Sequence, residues 1–235
     1  LVSSSAASDV YKRQVVVCGG GHAGIEASLI SLKLGCKTAL VTMNKRAIGR
    51  MSCNPAIGGL SKGQIVKEMD ILGGMMGVAT DFSAIQFKIL NQSKGKSVWS
   101  PRAQVDKRVY ESFVLNKIVA SNLEVVEGEV VDIIHKNEKI KGVVLRDGSK
   151  IKAKSVILTC GTFLNGLIHI GQRKIRAGRM GESAADGITE SLVKMGFKSG
   201  RLKTGTPPRI NKNSIDWNSA KTVSYTHLTL PTTRL

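Results

Sequence analysis

The chain has 235 residues, enough to bury the core of one large domain or two small ones, and its 42% hydrophobic content at a mean hydropathy of −0.01 is that of a soluble globular protein. No apolar run approaches the roughly 20 residues of a membrane span, so no membrane is expected among its partners. Lys and Arg outnumber Asp and Glu by 35 to 17, a net charge of +18 that points to a polyanionic partner, while 4% aromatic residues argue against a surface that stacks single-stranded bases.

Residues 1–14 have no charged n-region followed by an apolar core, so they are not a secretory signal, and their Ser/Ala composition matches an organelle transit peptide only faintly. Together with residues 223–235 they resemble translated sequencing-adapter read-through. Both segments are set aside as non-native tails, which leaves 15–222 as the body.

The body opens on a β-branched strand, Val15 to Cys18, followed by Gly19, Gly20, Gly21, His22, Ala23 and Gly24 and then by a helix from Ile25 to Leu34. Gly19, Gly21 and Gly24 form a G-x-G-x-x-G pattern at the joint between strand and helix. The first glycine permits the tight turn, the second lets the backbone approach a pyrophosphate, and the third lets the helix pack on the strand. The helix N-terminus offers free N–H groups and a partial positive charge to the anion. The competing reading is a plain glycine turn. Gly35 stops the helix, and Cys36 to Thr42 reads as a second strand. A generic dinucleotide site carries an Asp or Glu after that strand for the ribose hydroxyls; here stand Thr42, Met43 and Asn44, which speaks against ordinary NAD binding at this first site.

Gly49 to Gly63 is too rich in Gly and Pro for regular structure. Ser61 is expected to cap a helix running to Leu72, with Ile65, Val66, Met69 and Leu72 as one apolar stripe. The loop sets Cys53 beside an Asn-Pro turn and among the cations Arg46, Arg50 and Lys62, surroundings that favour thiolate; an inert packing thiol is the alternative. Cys18, Cys36 and Cys160 fall in or beside apolar strands and read as packing residues. No C-x-x-C pair occurs, so neither a metal site nor a disulfide scaffold is expected, and the setting is a reducing cytosol or organelle interior.

Ala84 to Leu90 reads as extended, Asn91 to Lys96 as a basic turn, and Val105 to Ala120 as an amphipathic helix with Val105, Val109, Phe113 and Ile118 on or near one face. Three β segments follow: Leu123 to His135, Ile140 to Arg146 with an Asp147-Gly148 turn, and Ile151 to Leu158. Two basic runs close the body, Arg173 to Arg176 with Arg179, and Lys198 to Lys212; a solvated surface and a phosphate-binding surface remain equal alternatives for them.

The meander returning to Thr159, Cys160 and Gly161 is similar to that of FAD-binding domains of the two-dinucleotide reductase type, an α/β, Rossmann-like fold with an inserted β-meander. Five stretches go further: Gly19 to Gly24, Met51 to Gly59, Ile85 to Asn91, Gly161 to Gly166 and Gly200 to Arg209. In this order they resemble the tRNA uridine 5-carboxymethylaminomethyl modification enzymes, the MnmG or GidA family. The resemblance runs through nearly all of Val15 to Trp217 and stops well short of the family's chain length. It implies that 15–222 is a truncated FAD-binding domain with the start of an inserted substrate or NAD-side region.

For function, the resemblance implies an FAD enzyme acting at C5 of the wobble uridine of tRNA with an MnmE-type GTPase partner, as a homodimer. NADH is then the reductant and methylene-tetrahydrofolate the carbon donor, in the cytoplasm or, in a eukaryote, the mitochondrion. It also implies FAD contacts at Gly19, Gly20, Gly21, His22, Ala23, Gly24, Val130 and Ala185, the last where relatives commonly carry a serine, and a catalytic role for Cys53 as one of two family cysteines. Met43 stands in place of a histidine usual there, with Asn44 kept. A folate- and FAD-dependent tRNA uridine methyltransferase, and an inactive FAD- or RNA-binding fragment, are the competing readings. The second family cysteine and a helical C-terminal region have no counterpart here, so the piece alone is expected to be inactive.

Overall fold

The computed structural model describes residues 13–52, 54–202 and 210–219. Strand β1 (Arg13–Cys18) begins two residues before the expected boundary at Val15, because the Arg13 guanidinium pairs with Glu124 and the Gln14 side chain accepts the Lys37 N–H. Helix α1 (His22–Lys33) starts three residues earlier than the apolar pattern indicates, since His22, Ala23 and Gly24 already form its first turn. Strand β2 (Thr38–Thr42) is buried throughout and pairs in parallel with β1.

The loop expected to lack regular structure contains a strand, β3 (Ala56–Gly58). Gly58 has φ +84° and an added Cβ there would collide with the Pro101 carbonyl, so glycine is required by the pairing itself. Helix α2 (Lys62–Ile71) follows, but Ser61 sits at φ 61° and makes no capping bond, contrary to the sequence reading. Of the stripe read there, Val66 and Met69 are half-buried while Ile65 and Leu72 are exposed. Helix α3 (Met76–Ser83), unmarked in the sequence, has its first N–H groups satisfied from outside: Glu26 of α1 accepts from Met75 and Met76.

Strand β4 (Ala84–Leu90) lies where expected and pairs antiparallel with β5 (Ser100–Val105), giving a small sheet in the order β3-β5-β4. Asp106 caps helix α4 (Lys107–Ala120) through the Arg108 and Val109 N–H groups. The buried face of α4 is Tyr110, Val114 and Ile118, at four-residue spacing; Val109 is exposed and Val105 belongs to β5.

The segment read as one strand from Leu123 to His135 is two. Strand β6 (Glu124–Glu127) pairs in parallel with β2, and only β7 (Val130–Lys136) begins the meander, which continues through β8 (Lys139–Leu145) and β9 (Lys150–Leu158). Strand β9 belongs to both parts: residues 150–152 pair antiparallel with β8, while Ala153 to Leu158 pair in parallel with β1. The sheet order is β6-β2-β1-β9-β8-β7, an α/β fold with an inserted meander, as expected. A ribbon, β10 (Leu167–Ile170) with β11 (Arg173–Arg176), and helix α5 (Ile188–Lys194) complete the described elements.

Two cores flank this sheet. Val17, Leu40 and Ile25 pack with Tyr110, Val114 and Ile118 on the α1 and α4 side. Val16, Cys18 and Val41 pack with Val143, Ile151 and Ile188 on the meander side. Alternate residues of β1 thus feed opposite cores, which is why that strand reads as a continuous apolar run.

Candidate dinucleotide site

The glycine loop sits where β1 ends and α1 begins. Gly19 has φ +118°, donates its N–H to the Val41 carbonyl at 2.8 Å, and leaves no room for a side chain against Thr159. A Cβ on Gly20 would stand 2.8 Å from Thr42 Oγ1, and one on Gly24 would overlap the Gly19 carbonyl and meet Thr159 Oγ1 at 2.7 Å. Gly21 differs. Its φ of −76° suits any residue, it is exposed, and a Cβ there would have nothing within 4 Å.

Three glycines are therefore demanded by the protein's own packing, and the fourth opens outward at the helix N-terminus. No side-chain oxygen caps that terminus and no acid stands in its first turn. Free N–H groups, a helix dipole and an open backbone edge fit a pyrophosphate, so the cradle accommodates the diphosphate of FAD.

Thr159, the residue that follows Leu158 at the end of β9, ties the return strand to this loop. Its hydroxyl donates to the carbonyls of Cys18 at 2.9 Å and Gly19 at 3.1 Å. Beside the loop, His22 Nδ1 lies 3.5 Å from the Tyr110 hydroxyl with the rings edge to face. Burial lowers the pKa of His22, the positive charge of Arg179 lowers it further, and Glu111 opposes both. Burial, with the Glu26 charge, pushes the Tyr110 hydroxyl well above its ordinary value.

After β2, Asn44 uses its side-chain oxygen to accept the Arg46 N–H at 2.8 Å, which leaves its amide NH2 as the group able to reach a ribose. Glu127, at the end of the neighbouring strand β6, accepts the Lys45 N–H at 2.8 Å. It places a carboxylate beside the tip of β2 that the sequence reading did not find, because the residue is distant in the chain and only the parallel pairing brings it there.

Val130 and Ala185 are both buried and belong to one linked region. The preceding Glu129 binds Arg146 and accepts the Asp186 N–H at 3.0 Å, while Ala185 bridges Leu164. The Ala185 N–H donates to Phe163 O and its carbonyl accepts from Asn165, both at 2.9 Å. A cofactor contact at Ala185 would have to use the remaining lone pair of that carbonyl.

Cys53 and the stretch Lys203 to Arg209 lie outside the described residues. The residues around Cys53 are anchored on both sides: the Met51 N–H donates to Glu111 of α4 at 3.0 Å, and Pro55 accepts the Val105 N–H at 2.8 Å. Arg50 pairs with Glu182 at 2.9 Å, and Arg179, which also reaches Glu182, stacks over Phe163. Of the packing cysteines, Cys18 is buried with its thiol pushed up to about 12, and Cys160 follows β9 rather than lying in it; burial raises its pKa too. Among the described residues no cluster of His, Cys, Asp or Glu could hold a metal ion, and no helix is long and apolar enough to cross a membrane.

A family model described as glucose inhibited division protein A matches residues 14–230. The tRNA uridine 5-carboxymethylaminomethyl modification enzyme MnmG of Flavobacterium johnsoniae is 50% identical over 230 residues, a match covering 94% of this chain and 37% of that protein. The structure of Aquifex aeolicus GidA superposes with a TM-score of 0.83 at 49% identity, over 89% of this chain and 35% of that one. A GidA-related protein from Thermus thermophilus, at 17% identity and a TM-score of 0.57 over 79% and 69% of the two chains, shares the fold. The chain thus spans about a third of the length of its relatives of about 50% identity.

Proposed function

The chain belongs to the glucose inhibited division protein A (GidA) family, and on that footing we propose that it is the FAD-binding portion of an enzyme that modifies the wobble uridine of tRNA at C5. The observation that carries the flavin assignment is Gly21, open and unconstrained among glycines that packing demands. FAD supplies the electron transfer that side chains cannot, with NADH as reductant and methylene-tetrahydrofolate as the source of the one-carbon unit. The chain's own residues bind and orient. The N–H groups of residues 21–24 would hold the diphosphate, Thr159 ties the return strand to the loop, and Val130 and Ala185 would contact the cofactor, as the family resemblance implies.

Cys53 is the nucleophile in this reading. A thiolate adding to C6 of the pyrimidine makes C5 nucleophilic, and the cations Arg46, Arg50 and Lys62 in its sequence neighbourhood favour the thiolate. The positive charge of the chain suits tRNA. A MnmE-type GTPase partner, a homodimer and a cytoplasmic setting, or a mitochondrial one in a eukaryote, complete the proposal.

A chimera tests it. This chain's residues 13–219 replace the matching region of the Flavobacterium johnsoniae relative in cells lacking their own enzyme, and tRNA nucleosides are read by mass spectrometry. Restored 5-carboxymethylaminomethyl-type uridine, lost on Cys53→Ser while flavin stays bound, is the expected result. A chimera that folds, binds flavin and leaves the uridine unmodified refutes it.

A further inference from the structure

The small sheet carries a polar face. In the register of β4 and β5, Gln86 stands opposite Gln104 and Lys88 opposite Arg102. Residues directly opposite in an antiparallel pair, and those two apart along a strand, share a face, so the four side chains form a two-by-two array: a pair of amides beside a pair of cations. On β3 the residues in the same rows are Ala56, opposite Gln104, and Gly58, opposite Arg102. Their small size leaves that side of the face low. A hollow of about 50 Å³ lies on this face, lined by Gln86, Lys88, Leu90, Arg102 and Gln104. On the opposite face Ile57, Ala103 and Val105 of β3 and β5 reach the core, while Phe87 and Ile89 of β4 are exposed.

The chemistry of the array is specific. A carboxamide offers a donor and an acceptor together, which matches the N3–H and a carbonyl of a uracil edge. Two cations side by side match a phosphate. Loops of RNA present unstacked bases by their edges with a phosphate on either side, and that is the combination the four residues address. The array also adjoins the candidate nucleophile along the chain: Ala56, in its low corner, comes three residues after Cys53.

We infer that the polar face of the β3-β5-β4 sheet is the docking surface for a pyrimidine nucleotide of RNA, with Gln86 and Gln104 reading the base edge and Lys88 and Arg102 holding a neighbouring phosphate. This rests on the tRNA reading above and assigns that substrate its place.

The test uses the 235-residue chain and two fluorescent RNA stem-loops with a seven-nucleotide loop, one carrying uridine at the wobble position and one carrying N3-methyluridine, with anisotropy as readout. The unaltered chain is expected to prefer the uridine loop about tenfold, the size of one bidentate amide–base contact. Gln104→Leu and Gln86→Leu should abolish the preference while residual binding persists. Lys88→Gln and Arg102→Gln should weaken both RNAs equally and each reduce the salt dependence by about one counterion. Circular dichroism confirms that each variant is folded. RNA binding indifferent to all four substitutions overturns the assignment alone. No RNA binding by the unaltered chain overturns both the assignment and the tRNA reading. Competition between FAD and the RNA that Gln104→Leu relieves would place the flavin ring on the array and also overturn it.

Discussion

Gly24 and Gly19 are packed so closely that a methyl group on Gly24 would overlap the Gly19 carbonyl oxygen, whereas a methyl group on Gly21 would touch nothing. The two positions of one motif therefore separate packing from ligand binding. Gly24→Ala should force α1 away from β1 and destabilise the chain by about 1–3 kcal/mol, the usual cost of overpacking. Gly21→Ala should leave the thermal midpoint unchanged and weaken FAD by at least about tenfold, or 1.4 kcal/mol. Thermal unfolding and a flavin titration of both variants check this.

His22 gives a pH dependence of defined sign. Its folded pKa is lowered by burial and by Arg179, so the fold favours the neutral ring and the unfolded chain binds the extra proton. The stability it contributes is present above the ordinary histidine range, about 6.5, and is lost as pH falls through the lower folded value. The thermal midpoint should fall on acidification across that window, and His22→Gln should flatten the fall.

Glu129 behaves in the same direction at lower pH. Arg146 and the Asp186 N–H hold its carboxylate below the usual range, so its contribution exists above that range and disappears as pH falls through the folded value. Glu129→Gln should destabilise the link between the meander and residues 185–187 at neutral pH and have no effect in strong acid, which a pH series of unfolding curves would show.

Glu111 accepts the N–H of Met51, a buried residue two positions before Cys53. Glu111→Ala should leave that N–H unpaired at a cost of about 1–3 kcal/mol. Hydrogen exchange should then be faster around Met51, and alkylation of Cys53 altered relative to Cys36, whose environment is untouched.

The sequence was most legible where a local rule decides the structure. The β1 to α1 joint, strand β4 and the β8 and β9 hairpin with its Asp147-Gly148 turn came from patterns of a few residues. What escaped was fixed at long range. Helix α3 is capped by Glu26 some fifty residues away, and β3 exists because β5 offers it a partner. The buried face of α4 is Tyr110, Val114 and Ile118, chosen by the core it meets at Val17, Ile25 and Leu40 on the sheet and α1, so Val109 and Val105 of the expected stripe fall outside it. The segment after Leu123 looked like one strand because both halves are β-branched; Gly128, whose N–H binds Thr42 O, divides them. In the site, the glycines were legible while Thr159, Glu127 and Glu111 were not, since each reaches the loop region only through the sheet or an adjacent helix.

The most direct measurement is the visible absorbance spectrum and flavin content of the purified chain, with FAD added back where the preparation is unsaturated. The expected result is a flavin spectrum at one FAD per chain for the unaltered protein, weakened in Gly21→Ala without loss of folding. A folded, colourless chain that takes up no FAD on titration would contradict the assignment of the glycine loop and, with it, the proposed function.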